Sequence, residues 1–217
     1  MASRNLLPYL LPLLATLLSQ AFAFPDNMYP FNCLLTTSNC NSLLYHINKG
    51  LEKEQIASFY NVSTTQIFPV FRGDQQDYFI AISSSCKNIN GTRAYFYDAP
   101  YTVQENDTFF EVSEQIYSGQ AWRVGDEESK FIVGNVVTMH LLSGCAESNS
   151  QVVATYTVQQ NDTISYIANT LSSTVSGIVE MNSALIKDPN LLNVGWVLFV
   201  PIEQPEPIAP APSPTYA

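Results

Sequence analysis

The chain has 217 residues, 46% of them apolar, with 19 acidic against nine basic side chains and a formal charge of −10. That acidity excludes the basic patches by which nucleic acids and anionic membranes are held, and it disfavours acidic polymers such as peptidoglycan-linked teichoic acids. The length suits one or two ordinary domains, or several smaller ones that need covalent support.

At the N-terminus, Arg4 precedes an apolar run from Leu6 to Leu18, and Ala21-Phe22-Ala23 puts small residues at the −3 and −1 positions. This predicts a secretory signal over residues 1–23, cut before Phe24, because the run is short for a membrane span of ~20 residues. Export places the four cysteines, Cys33, Cys40, Cys86 and Cys145, in an oxidising compartment. Their even number fits two disulfides, which sequence alone allows to pair in three ways. There is no Cys-x-x-Cys and no Cys/His cluster, so a zinc site is not expected.

After a Cys-containing segment, 24–42, one phrase recurs. It reads YHINKGLEKEQIASFY from Tyr45, YTVQENDTFFEVSEQI from Tyr101 and YTVQQNDTISYIANTL from Tyr156. In each copy the tyrosine is followed eleven and twelve places later by an apolar and a small residue: Ile56-Ala57, Val112-Ser113, Ile167-Ala168. A spacing kept three times marks a repeated supersecondary unit. Tyr-Thr-Val alternates like a half-buried strand, and a polar turn follows. The turn pivots on Gly50, Asn106 or Asn161, residues that tolerate the left-handed backbone region. Thr108, with Glu111 three places on, reads as the N-cap of a helix, and apolar residues then follow at helical spacing.

The first unit, 43–86, continues YNVSTTQIFPVF from Tyr60, β-branched and aromatic with Pro69 inside it. Proline costs roughly 3 kcal/mol inside a helix, so an extra strand is expected there, followed by a closing strand over Tyr78 to Ile82. The second unit, 95–144, is expected to hold its second helix in GQAWRVGDEE, 119–128, and its closing strand over 131–139. The third, 152–202, is expected to have a second helix near Val175 to Asn182 and to close on LNVGWVLFVP, 192–201. Pro205, Pro207, Pro210, Pro212 and Pro214 mark a low-complexity tail, 203–217, that packs no core.

No catalytic or cofactor motif is present. There is no Gly-x-Ser-x-Gly, no His-Glu-x-x-His and no phosphate loop. His46 and His140 stand alone, without a nucleophile in any motif, and read as structural. Glu127-Glu128 and the pair Asp74 and Asp77 imitate glycosidase carboxylates but read as solvated loop charges. The chain is therefore read as a binder rather than an enzyme, with no cofactor and no metal.

YTVQxNDTxxxIA resembles the opening of the LysM module, with Asn where that module has Gly. Three such units with cysteines between them resemble the ectodomain of plant LysM receptor-like kinases, over about Cys33 to Ile202. The resemblance implies an α+β fold of three small modules packed together, each βααβ, with the extra strand making the first βαββ. That first module, the Leu44-Tyr45-His46-Ile47-Asn48 motif and the single cysteine per linker resemble the exopolysaccharide-receptor branch more than the chitin-receptor branch. Ser84 and Ser143 stand where the family has two cysteines that bond to each other, so the remaining pattern implies Cys33–Cys86 and Cys40–Cys145. In the family a proline-rich stalk leads to a transmembrane helix and a kinase. The sequence in hand reaches Ala217 without an apolar span after the tail, which leaves a secreted protein and the extracellular part of a plasma-membrane receptor as two readings.

The resemblance further implies binding of N-acetylglucosamine-containing or related glycans, in a shallow groove between the strand–helix turn and the loop before the last strand. On this chain those positions are Gln104, Glu105, Asn106 and Asp107 through Thr108, facing 128–131. In the third unit they are Gln159, Gln160, Asn161 and Asp162 through Thr163, facing Lys187 to Leu192 with Asp188, Asn190 and Leu191. Amide and carboxylate side chains suit hydroxyl and acetamide recognition, and Leu191 suits a sugar face. The alternative for Thr108, Thr163, Asp107 and Asp162 is that they serve only the helix N-termini. Trp122, expected on a helix, and Trp196 are candidate stacking platforms. Asn61, Asn90, Asn106 and Asn161 begin glycosylation sequons, two of them inside the expected turns. The implied function is recognition of a microbial or fungal glycan, exopolysaccharide or chitin-type, in symbiosis or innate immunity. The alternatives are a soluble chitin-binding protein and a co-receptor module that meets another LysM receptor ectodomain.

Overall fold

The computed structural model describes residues 28–33, 39–148 and 150–203. The expected signal segment and all of the tail beyond Glu203 lie outside these residues. Strands β1 (Asn39–His46), β2 (Ile67–Arg72) and β3 (Gln75–Ile89) flank helix α1 (Lys53–Tyr60). Strands β4 (Thr92–Thr102) and β5 (Val136–Leu142) flank α2 (Phe109–Ile116). Strands β6 (Gln151–Thr157) and β7 (Val197–Glu203) flank α3 (Ile164–Thr170) and α4 (Val175–Met181). The first repeat is thus β-α-β-β, as Pro69 suggests. Pro69 sits in β2, a strand that pairs with β3 alone, so its missing N–H breaks no ladder.

The second repeat departs from expectation: it has one α-helix, and 119–128 is not the second. Gly119 (φ 72°) and Gly125 (φ 105°) interrupt any helical run between them. The stretch is extended instead. The Leu142 N–H donates to the Gln120 carbonyl (3.0 Å) and the Trp122 N–H to the His140 carbonyl (2.7 Å), so residues 120–122 line the outer edge of β5. Only a short 3-10 turn, Glu127–Lys130, follows. In the third repeat α4 forms as expected, started by the Thr174 hydroxyl, which accepts the Gly177 N–H at 3.1 Å. Asn182 then does for β7 what the 120–122 backbone does for β5. Its Oδ1 accepts the Phe199 N–H at 2.8 Å, and its Nδ2 donates to the carbonyls of Phe199 and Ile178, both at 2.7 Å.

All three repeats share one sheet, in the order β5-β4-β3-β1-β6-β7 with β2 beside β3. β1 lies antiparallel to β3 and parallel to β6 over Ser42–Leu44, joining the first repeat to the third. β3 is long enough to pair with β2 over its first half and with β4 over Ser85–Ile89, joining the first repeat to the second. Of the two disulfides, Cys33–Cys86 ties the N-terminal segment to β3, and Cys40–Cys145 ties β1 to the residues just after β5. Ser84 and Ser143 are fully buried, and their hydroxyls have no hydrogen-bond partner.

Alternation along β1 explains why the repeats cannot separate. Leu44 enters a core with Ile56, Tyr60, Ile80, Tyr101, Val112 and Met139, drawn from the first and second repeats. Tyr45 points the other way, into a core with Val70, Tyr156, Ile167, Ile178 and Leu198, drawn from the first and third. A third cluster, around Phe96, Leu142, Val153 and Phe199, joins the second and third.

His46 is completely buried where the first two repeats meet, with its Nδ1 3.2 Å from the Tyr60 hydroxyl. Burial pushes its pKa down to about 4, against an opposing pull from the Asp77 carboxylate. The unfolded chain takes up the same proton near 6.5. Between those values the unfolded state binds more protons, so stability falls as pH drops from about 6.5 towards 4 and is unaffected by this group above that range. Urea titrations across that window are expected to show His46 contributing a loss on the order of 3 kcal/mol. His46→Gln should flatten the dependence by that amount; parallel curves for the two proteins would refute the assignment.

Candidate functional site

The repeated turns are built around a tyrosine–aspartate bond. The Tyr101 hydroxyl donates to Asp107 Oδ2 at 2.6 Å, and the same oxygen accepts the Gln104 N–H at 2.7 Å. In the third repeat Tyr156 donates to Asp162 Oδ2 at 2.7 Å, which also accepts the Gln159 N–H at 2.8 Å. Burial and then the aspartate raise both tyrosine pKa values far above the usual range, so the phenols stay protonated donors. Asn106 (φ 67°) and Asn161 (φ 69°) reverse the chain, and the Thr108 and Thr163 hydroxyls cap α2 and α3 by accepting the Glu111 and Tyr166 N–H groups. Glu111 adds a second bond to the cap of α2: its carboxylate accepts the Thr108 hydroxyl proton at 3.1 Å.

The first repeat keeps the tyrosine and moves the aspartate. Leu51 stands at the turn position, and Tyr45 donates instead to Asp77 Oδ2 on β3, at 2.7 Å. Asp77 Oδ1 accepts the Asn48 N–H at 2.8 Å, and the carboxylate is fully buried. Asp77 is therefore a brace and not half of a solvated acidic pair. In sequence the brace is visible as a shared spacing, Tyr101 to Asp107 and Tyr156 to Asp162. Because the bond is charge-assisted, Tyr101→Phe is expected to cost about 1.5–3 kcal/mol in urea denaturation, and Tyr156→Phe the same.

The loop before each last strand is stapled to its turn in the same way. Val103 donates to the Asn135 carbonyl and accepts from the Gly134 N–H, both at 2.9 Å. Val158 donates to the Trp196 carbonyl and accepts from the Gly195 N–H, both at 2.8 Å. In the second repeat this brings 128–131 against the turn, and Glu128 Oε2 receives the Phe109 N–H at 3.4 Å. Of the expected contact residues, Asp107 and Asp162 are consumed by the turns. Gln104 Nε2 folds back on the Thr102 carbonyl (2.7 Å), and Gln159 Nε2 lies 3.4 Å from the Tyr156 hydroxyl. Glu105, Asn106, Gln160 and Asn161 face solvent. Asp188 and Asn190 bond to each other at 3.0 Å, beside a Leu191 that is 66% exposed.

Trp122 is off the expected helix, half-buried against the third core cluster. It borders a concavity of ≈ 650 Å³ with Phe131, Thr138 and His140. Trp196 is half-buried against the second core, as a packing residue. Next to the concavity, Asp98 Oδ1 lies 2.8 Å from His140 Nδ1, and Asp98 Oδ2 lies 2.6 Å from Lys87 Nζ. Burial alone would push the Asp98 carboxyl up, but hydrogen bonds from His140 and Lys87 outweigh it and hold the group below its usual value. The four sequon asparagines are exposed, and each has a positive φ: Asn61 (51°), Asn90 (47°), Asn106 (67°) and Asn161 (69°). Among the described residues no helix is long and apolar enough to cross a membrane, and no His/Cys/Asp/Glu group suits a metal ion.

A family model described as "LysM domain" matches residues 156–201. The LysM domain receptor-like kinase 3 of Arabidopsis thaliana is 25% identical over 197 residues, covering 85% of this chain and 29% of that protein. The chain therefore spans about three-tenths of that relative's length. Two solved structures share the fold. The ectodomain of a receptor like kinase has a TM-score of 0.58 at 13% identity, covering 82% of this chain and 98% of that one. The LYK3 ectodomain has a TM-score of 0.54 at 15% identity, covering 77% and 92%.

Proposed function

From the premise that residues 156–201 are a LysM domain, on a chain folded like receptor-kinase ectodomains, we propose that this protein is the carbohydrate-binding extracellular part of a LysM receptor. The three repeats, 43–86, 95–144 and 152–202, are three LysM modules in this reading. The observation that supports it best is the identical bracing of two turns, which holds Glu105 and Asn106, and again Gln160 and Asn161, outward on rigid backbone. Pre-organised polar groups on a fixed frame suit hydroxyl and acetamide recognition and need no catalytic residue. The ligand is a microbial or fungal glycan, and the βαββ first repeat favours exopolysaccharide over chitin.

The test is titration of the secreted, glycosylated chain with chitin tetramer, β-1,3-glucan hexamer and bacterial exopolysaccharide. Saccharide binding is expected, and Gln160→Arg or Leu191→Asp should weaken it about tenfold if the third repeat supplies the site. Absence of binding to every saccharide, with capture of a second receptor ectodomain, would replace this function by that of a co-receptor module.

A further inference from the structure

The second repeat, with one α-helix between β4 and β5, leaves an opening beside the outer edge of β5. Residues 120–122 cover the outer edge of β5 only at His140 and Leu142. By the alternation of an antiparallel ladder, Thr138 and Val136 turn their N–H and C=O groups to that same outer edge. There the chain has left β5 for the 3-10 turn at Glu127–Lys130. The gap is the ≈ 650 Å³ concavity, within the ~300–1,000 Å³ common for small-molecule sites. None of Gln104–Thr108 lines it.

We propose that this concavity is a saccharide subsite, distinct from the turns, that takes one or two units of a neutral oligosaccharide. The proposal rests on the carbohydrate-binding reading above and names a place for it. Trp122 and Phe131 both line it, and aromatic rings suit the apolar side of a pyranose. His140 Nδ1 is engaged by Asp98, which leaves Nε2 as the ring atom for a sugar hydroxyl. The Thr138 hydroxyl, the Asn135 amide and the open edge of β5 add donors and acceptors.

Charge decides the class of sugar. Glu127 accepts from the Val124 and Gly125 N–H groups and lies 3.7 Å from Arg123, while Lys130 is paired with Asp126 at 2.8 Å. Each charged side chain in the wall already has a partner, so an acidic sugar gains no counter-charge there. A peptide strand is a poorer fit: the open edge runs only from Val136 to Thr138, stopping at the His140 carbonyl that the Trp122 N–H already uses, and strand addition relies on a longer row of main-chain bonds.

The experiment uses the secreted, disulfide-bonded chain and its tryptophan emission, since the sequence has two tryptophans. Chitin tetramer, β-1,3-glucan hexamer and a uronate hexamer are titrated in parallel. A neutral oligomer is expected to change the emission, with the change kept in Trp196→Phe and lost in Trp122→Phe. Thr138→Arg, at an exposed position and checked by its melting curve, should weaken binding at least tenfold. Binding that Thr138→Arg leaves intact while Gln160→Arg abolishes it would overturn the subsite and leave the broader function standing. A preference for the uronate oligomer would overturn it too. Failure of every saccharide to bind would overturn the subsite and the carbohydrate-binding reading together.

Discussion

Replacing Cys40 and Cys145 together by serine is expected to lower the stability of the secreted chain by on the order of 4 kcal/mol and to cut its yield sharply. The bridge spans a sequence separation of 105 residues. In the chain-entropy model a loop of about 100 residues is worth about 4.7 kcal/mol, and the logarithmic dependence leaves most of that even with Cys33–Cys86 intact. Cys40 lies on β1 beside Ser84, so the bridge anchors the central strand to the end of the second repeat. Urea unfolding of the purified proteins gives the difference directly. Ser84→Ala is the control, because its hydroxyl has no partner to lose and its removal should leave stability equal or slightly higher. Equal secretion of Cys40→Ser and Ser84→Ala would contradict the whole account of how the joints are held.

Asn182→Ala should cost about 3 kcal/mol, more than its size suggests. The substitution removes a buried amide that makes three hydrogen bonds and strands the Phe199 N–H and carbonyl inside the core. Each unsatisfied buried group carries a penalty of ~1–3 kcal/mol. Asn182→Asp should be about as harmful, since a carboxylate cannot donate to the Phe199 carbonyl. Gln120→Ala in the second repeat should leave the edge of β5 intact, because there the covering is main chain, although it forfeits the bond from Gln120 Nε2 to the Tyr45 carbonyl at 2.7 Å. Thermal melts of the three variants separate the two ways of covering a strand edge.

Much of the fold can be read from the sequence because its determinants are local. The αL positions at Gly50, Asn106 and Asn161, the caps at Thr108 and Thr163, and the extra strand around Pro69 all follow from residue chemistry within a few positions. The second repeat is less legible: 119–128 stands where the repeat places a second helix, but Gly119 and Gly125 break it, and its pairing is to β5, some way down the chain. The candidate site was legible only in outline. The turns are where the repeat places them, but the role of Asp107 and Asp162 depends on where the tyrosine hydroxyls end, and the concavity depends on an absent helix. The parallel contact between β1 and β6 has no signature at all in composition or spacing.

That contact bears on how the molecule is made. During synthesis, β1 emerges with Leu44 and Tyr45 ready to pack, yet one of its two neighbours is still more than a hundred residues from the ribosome. Until that neighbour arrives the centre of the sheet has one bare flank, and pairings so distant in sequence close slowly. A fragment ending after the second repeat lacks that neighbour for good, and limited proteolysis should cut it faster than the whole chain.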